Sequence, residues 1–200
     1  MIYSIVKHSV NIYLRLMYKI VVKGHENIPE GGSIIAANHV SNYDPLVVAA
    51  TCKRKVRFMA KAELFNNLVG KFIFGGSGMI PVKRGAADIA AIKTSIKALK
   101  SGELIGIFVE GTRVKNEEDS KAKSGVAMLS IKAEKPVVPV YIKSSFKRFS
   151  TITITYGKPI DLLEGVDKKL TSEDYKTLSS MVLDRIRGLE KEEDNANINS

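Results

Sequence analysis

The sequence predicts an α/β fold, a single-domain sandwich in which helices flank a largely parallel sheet, preceded by an amphipathic N-terminal helix. Two observations carry this reading. Short apolar runs of strand length alternate with stretches of helical periodicity along the chain, the order that builds strand–helix–strand units. The 200 residues, 44% hydrophobic and 26% charged, suit one folded domain with a buried core rather than a disordered or fibrous chain. No internal repeat is present.

Taken in order, residues 2–17 place Ser4, Lys7, His8, Asn11 and Arg15 on one polar stripe of a helix, flanked by Ile2, Val6, Val10, Tyr13, Leu14 and Met17. The apolar face is broad and no acidic residue precedes Glu26, which is the pattern of a helix lying in a membrane interface. A helix packed on the protein's own core has the same pattern. No uninterrupted apolar stretch approaches the roughly 20 residues of a membrane span, and no signal-peptide cleavage site follows.

Gly24, Pro29, Gly31 and Gly32 then punctuate a turn before the apolar run 33–37. Further strand-length runs are expected at Val56–Ala60, Met79–Val82, Leu104–Val109, Val137–Ile142 and Ile152–Tyr156. Between them, Asp-Pro at 44–45 opens a helix, and Asp88–Lys100 carries Ile89, Ile92, Ile96 and Leu99 at helical spacing before Gly102. Helices are also expected over Ser124–Lys135 and about Ser172–Glu190. The resulting division is an interfacial helix at 1–19, a main domain at 20–190 and a frayed or disordered tail at 191–200.

The formal charge is +10, and all of it sits in the first part of the chain. Residues 1–115 hold 17 Lys/Arg against 7 Asp/Glu, whereas residues 116–200 hold 14 against 14. Such asymmetry suits a polyanionic partner: nucleic acid, an anionic membrane surface, or an acidic protein or phosphorylated substrate. The cluster Lys53, Arg54, Lys55, Arg57 and Lys61 could attract lipid headgroups, dock an acidic carrier protein, or simply be solvated. The single cysteine, Cys52, forms no internal disulfide and belongs to no zinc pattern, which favours a reducing intracellular setting. His8 and His25 have no metal-ligand spacing, and Phe74-Gly75-Gly76-Ser77-Gly78 lacks the ending of a P-loop, so no metal or nucleotide site is expected.

Candidate chemistry gathers in the turns after strands. On a straight helix His39 and Asp44 would be about 140° apart, and on a strand about 17 Å apart. Only the turn before the Asp44-Pro45 helix start can bring them together. There the carboxylate would fix the imidazole tautomer while the other ring nitrogen takes a proton from a hydroxyl. An Asp that caps a helix beside an incidental loop His has the same spacing. A second turn, Glu110-Gly111-Thr112-Arg113, follows an apolar strand, with glycine for close backbone approach and Thr and Arg as donors for a phosphate. A third, Lys83-Arg84-Gly85, is also basic. Ligands of open α/β sheets collect at the carboxyl ends of strands, so His39, Arg84 and Arg113 could share one crevice.

In these segments the chain resembles the glycerolipid acyltransferases that convert 1-acylglycerol-3-phosphate to phosphatidate. The family's N-H-x4-D motif appears whole as Asn38, His39 and Asp44. Its F-P-E-G-T-R-S motif appears from Phe108 to Val114, with Val109 and Val114 in place of the usual Pro and Ser. A basic strand end matches at Gly78–Arg84 and an apolar, proline-containing strand at Lys135–Ile142. The four blocks stand in the family's order over about residues 20–143.

The resemblance implies a glycerol-3-phosphate-acyltransferase-like sandwich and direct transfer of a fatty acyl group from acyl-CoA or acyl-acyl carrier protein to lysophosphatidate, with no cofactor. It implies His39 as general base oriented by Asp44, and Arg84, Arg113, Thr112, Gly111 and Lys83 as phosphate holders, with the choice between Lys83 and Arg84 open. Glu110 would position Arg113 or meet the acceptor's glycerol hydroxyls, and Asn38 would help to position substrate. It implies a peripheral or monotopic place on the cytoplasmic face of the cell membrane, with acyl carrier protein as a candidate partner and nucleic acid not. Glycerol-3-phosphate or another lysolipid are the alternative acceptors. A basic membrane- or nucleic-acid-binding module without catalysis is the alternative of another class; helix-turn-helix, zinc and RNP motifs are absent from the sequence.

Overall fold

The computed structural model describes residues 2–83, 88–113, 121–164 and 170–198. Its core is a seven-stranded sheet in the order β1-β7-β6-β2-β5-β3-β4, formed by β1 (Lys19–Lys23), β2 (Ser33–Ala37), β3 (Val56–Lys61), β4 (Ile80–Val82), β5 (Leu104–Phe108), β6 (Val137–Lys143) and β7 (Thr151–Tyr156). The pairs are parallel except β6 with β7, which run antiparallel. The α-helices are α1 (Ile2–Met17), α2 (Asp44–Thr51), a single turn α3 (Leu68–Gly70), α4 (Ile89–Lys100), α5 (Gly125–Ala133) and α6 (Ser172–Ile198).

Both faces of the sheet are covered, which explains why the central strands read as continuous apolar runs rather than alternating ones. Ile34 and Ala36 of β2, Ile105 of β5 and Val137 of β6 pack with residues of α4, α5 and α6. The intervening residues, Ile35, Ala37, Leu104, Val138 and Val140, pack with α1 and α2 on the other face. Every residue of β2 is buried. Fully burying an isoleucine contributes roughly 1.5–3 kcal/mol, so this strand alone anchors the turn that follows it.

The α/β sandwich, its largely parallel sheet and the leading helix agree with expectation. Two elements differ. β1 lacks a long apolar run, has exposed lysines at both ends, and becomes a strand through parallel pairing with β7 far along the chain. α6 runs past its expected end at Glu190 to Ile198, and residues 199–200 of the tail lie outside the described residues.

The broad apolar face of α1 is divided between two uses. Leu14 is buried, and Tyr3, Val6 and Val10 line a small apolar hollow against α2. Lys7, from the polar stripe, also turns inward, where its ammonium donates to the carbonyls of Cys52 and Lys53 at the end of α2. Its charge there complements the helix C-terminus. Ile5, Ile12, Tyr13 and Leu16 remain exposed on the other edge. No described helix is long and apolar enough to cross a membrane.

Candidate active site

β2 and β5 are adjacent parallel strands in register, Ala37 beside Phe108, so the segments that leave their carboxyl ends start side by side. Asn38 extends the sheet by one step beyond β2. Its carboxamide oxygen accepts the Ile142 N–H at 2.8 Å and its amide donates to the Ile142 carbonyl at 3.1 Å, closing the ladder to β6. It therefore holds the strand end, a role that the sequence did not suggest.

The chain then turns sharply, and the turn is built around Asp44. Its Oδ2 lies 2.8 Å from His39 Nδ1 and also accepts the N–H groups of Val40 and Ser41 at 2.8 and 2.7 Å. Asp44 sits in the first turn of α2, one residue after the N-cap Tyr43, with Pro45 following. The carboxylate is fully buried while the His39 side chain is 17% exposed. With Nδ1 occupied, Nε2 is the nitrogen left for a substrate.

Two contacts fix the histidine from behind. Its backbone N–H donates to Glu110 Oε2 at 2.8 Å, and Glu110 is itself buried. Its ring stacks on Phe108, centroids 4.0 Å apart and planes 18° from parallel. Phe108 in turn stacks on Phe58 at 5.6 Å and 16°. The space for Phe58 exists because residue 106 is glycine: a Cβ there would lie 2.3 Å from the Phe58 ring. Glu110 thus serves the histidine backbone, a contact that the sequence did not suggest.

His39 lines a crevice of about 550 Å³ with Leu46, Phe58, Lys61, Leu64, Phe74, Met79, Val82 and Gly111 among its walls. Gly111 adopts φ 70°, a left-handed conformation that turns the chain back after β5. Thr112 and Arg113 follow on the exposed surface of that turn. Lys123, which the sequence reading passed over, returns to the same place: its N–H donates to the Val109 carbonyl, and its side chain lies over Gly111. Lys83 lines a neighbouring hollow, and its N–H is held at 2.9 Å by Asp88, the N-cap of α4. The N–H groups of Lys83 and Ala91 hold the Asp88 carboxyl below the usual carboxylate range. Arg84 lies outside the described residues.

The structure thus brings His39, Asp44, Glu110 and Gly111 together. Phe108, Phe58 and Gly106 complete the support, and the signal for them was a lone glycine inside the apolar run of β5, which marks a close approach. The basic cluster after α2 divides. Arg54 donates to the carbonyls of Pro29, Gly31 and Gly102, and Arg57 to Gly78 and the Glu103 carboxylate, so both guanidiniums are engaged in the fold. Lys55 lies over the Tyr3 ring, whereas Lys61 reaches the crevice. Cys52 is buried beneath α1, where burial pushes its thiol up and away from the thiolate form. Among the described residues no group of three or more His, Cys, Asp or Glu is placed to hold a metal ion.

Comparison with known proteins bears on the family and the fold. Residues 19–143 match the family model described as acyltransferase. The chain is 33% identical over 140 residues to a 1-acyl-sn-glycerol-3-phosphate acyltransferase of Bacillus subtilis, covering 68% of this chain and 69% of that one. It is 30% identical over 180 residues to a protein of the same name from Borreliella burgdorferi, covering 84% and 70%. The fold matches the crystal structure of the 1-acyl-sn-glycerophosphate acyltransferase of Thermotoga maritima with TM-score 0.71 and 24% identity, over 96% of this chain and 79% of that one.

Proposed function

The chain belongs to the acyltransferase family, and from that premise we propose that it transfers a fatty acyl group from an acyl thioester to the sn-2 hydroxyl of 1-acylglycerol-3-phosphate, giving phosphatidate. The donor is acyl-CoA or acyl-acyl carrier protein. The observation that carries the reading is the His39–Asp44 pair, closed at 2.8 Å in the wall of a largely apolar crevice of about 550 Å³.

In the proposed reaction His39 Nε2 takes the proton of the acceptor hydroxyl as its oxygen attacks the thioester carbonyl. Buried Asp44 stabilises the imidazolium that forms, and its two further backbone hydrogen bonds keep it from swinging away. Collapse of the tetrahedral intermediate breaks the carbon–sulfur bond, and the proton on Nε2 passes to the departing thiolate. Transfer is direct, without an acyl-enzyme or cofactor, and Cys52 lies away from the crevice. Gly111, Thr112 and Arg113 hold the acceptor phosphate, with Lys83 and Arg84 contributing from the second basic turn. The exposed edge of α1 rests on the cytoplasmic face of the membrane, where acceptor and product reside.

The test is single-turnover transfer of labelled palmitoyl from each donor to lysophosphatidate in mixed micelles, for the wild-type protein and His39→Ala. Phosphatidate formed by the first and lost in the second is the expected result, and it identifies the donor. Equal product from both would remove His39 from the chemistry. Product with glycerol-3-phosphate or another lysolipid and none with lysophosphatidate would move the assignment to that acceptor.

A further inference from the structure

We propose that the loop between β6 and β7, residues 144–150, is a second bilayer anchor that inserts Phe149 into the lipid headgroup layer beside the exposed edge of α1. The inference rests on the reading of α1 as an interfacial helix and of the acceptor as a membrane lipid.

The loop reads Ser144-Ser145-Phe146-Lys147-Arg148-Phe149-Ser150. Its backbone is shaped: Ser144 and Ser145 hydroxyls accept the N–H groups of Phe146 and Lys147, and the Lys147 carbonyl accepts the Ser150 N–H. Both phenylalanines have positive φ, 52° and 63°, a left-handed conformation that bulky side chains rarely adopt. Backbone strain of this kind is kept where the side chain has a task. The two rings have different surroundings. Phe146 packs into the protein against Tyr43 and, edge-on, Tyr18. Phe149 is 74% exposed, with exposed Lys147 and Arg148 immediately before it.

An exposed aromatic ring beside two cations is the composition of a headgroup-level anchor: the ring enters the acyl boundary and the cations meet lipid phosphates. Its position fits the same occupant. The Phe149 N–H donates to the Met17 carbonyl at 2.7 Å and the Lys19 N–H donates to Ser150, which fastens the loop to the carboxyl end of α1. The loop that carries exposed Phe149 therefore sits at the carboxyl end of the helix whose exposed apolar residues are Ile5, Ile12 and Leu16. At the other end Ile2 lies against Gly76, and the segment before that glycine exposes Leu68 and Phe72 while its Leu64 and Phe74 line the His39 crevice. One lipid surface would then be met at both ends of α1, with the crevice wall beside it.

The sequence has no tryptophan, so each introduced one reports alone. Phe149→Trp, Ile12→Trp and, on α6 across the sheet, Met181→Trp are titrated with vesicles of phosphatidylglycerol and phosphatidylcholine. A blue shift, and quenching by brominated acyl chains, at positions 149 and 12 but not 181 is expected. Replacing both Lys147 and Arg148 by alanine should weaken vesicle binding roughly thirtyfold at low salt. A shift at 12 without one at 149, or unchanged binding by the alanine pair, overturns the loop anchor and leaves the α1 reading standing. No shift at either overturns both. Acyl transfer to micellar acceptor, measured on the same variants, tests the proposed reaction separately.

Discussion

Replacing Gly106 by alanine puts one methyl group into the stack of rings behind His39. The new Cβ would lie 2.3 Å from Phe58 Cε1, 2.6 Å from Cδ1 and 2.7 Å from Cζ, whereas carbon atoms rest about 3.5–4.0 Å apart. The Phe58 ring must therefore retreat by about 1 Å or more. It has little room, since Phe58 is buried and lies against Phe108, which lies against His39. Overpacking of this size costs roughly 1–3 kcal/mol, or about 2–12 °C in Tm for a chain of this length. If the displacement passes along the stack, a misplacement of about 1 Å at His39 lowers kcat roughly a hundredfold. Thermal unfolding and steady-state transfer measure the two effects, and Phe58→Leu in the alanine background should recover most of both by vacating the ring's place. An alanine variant with parental Tm and kcat would refute the stack as the histidine's support. So would a double variant no better than the single one.

Two further outcomes follow from the hydrogen bonds around the site. Glu110→Ala leaves the His39 N–H without its acceptor, while Glu110→Gln keeps an oxygen there; a bond to a charged acceptor contributes about 1.5–3 kcal/mol, so the alanine variant should lose roughly ten- to a hundredfold in kcat with KM little changed, and the glutamine variant much less. Asp88 is held ionised by the Lys83 and Ala91 N–H groups, so its folded pKa lies below its unfolded value of about 3.9; its stabilisation is complete well above that value and is lost as pH falls through the lower, folded one. The Tm gap between the wild-type protein and Asp88→Ala should accordingly be constant above about pH 5 and close in stronger acid, and a gap that widens on acidification would contradict the assignment.

The His39–Asp44 turn was legible because the local sequence leaves one solution. A buried strand ends at Ala37, an Asp-Pro helix start follows at 44–45, and the short connection must fold back. The tasks of Asn38 and Glu110 were not legible for the opposite reason. Their partners are backbone atoms of Ile142 and His39, distant in sequence and invisible until the sheet order is known. β1 was hidden in the same way, since its pairing with β7 makes it a strand and five residues with lysine at each end carry no periodic signal. The apolar stripe of α1 was read correctly as a stripe, yet sequence alone could not divide it between α2 and the surface.

The motif segments need this sheet order. β2 and β5 are separated in sequence by β3, β4 and α4, yet they are neighbours in the sheet with Ala37 beside Phe108. A slip of one residue in that register would carry Phe108 to the opposite face and move Glu110 away from the His39 N–H, so the ring stack and the backbone clamp would fail together. Register here is enforced by burial on both sides: Ile34 and Ala36 belong to one core, Ile35 and Ala37 to the other. The apolar packing of a strand that touches no substrate thereby fixes the position of the imidazole.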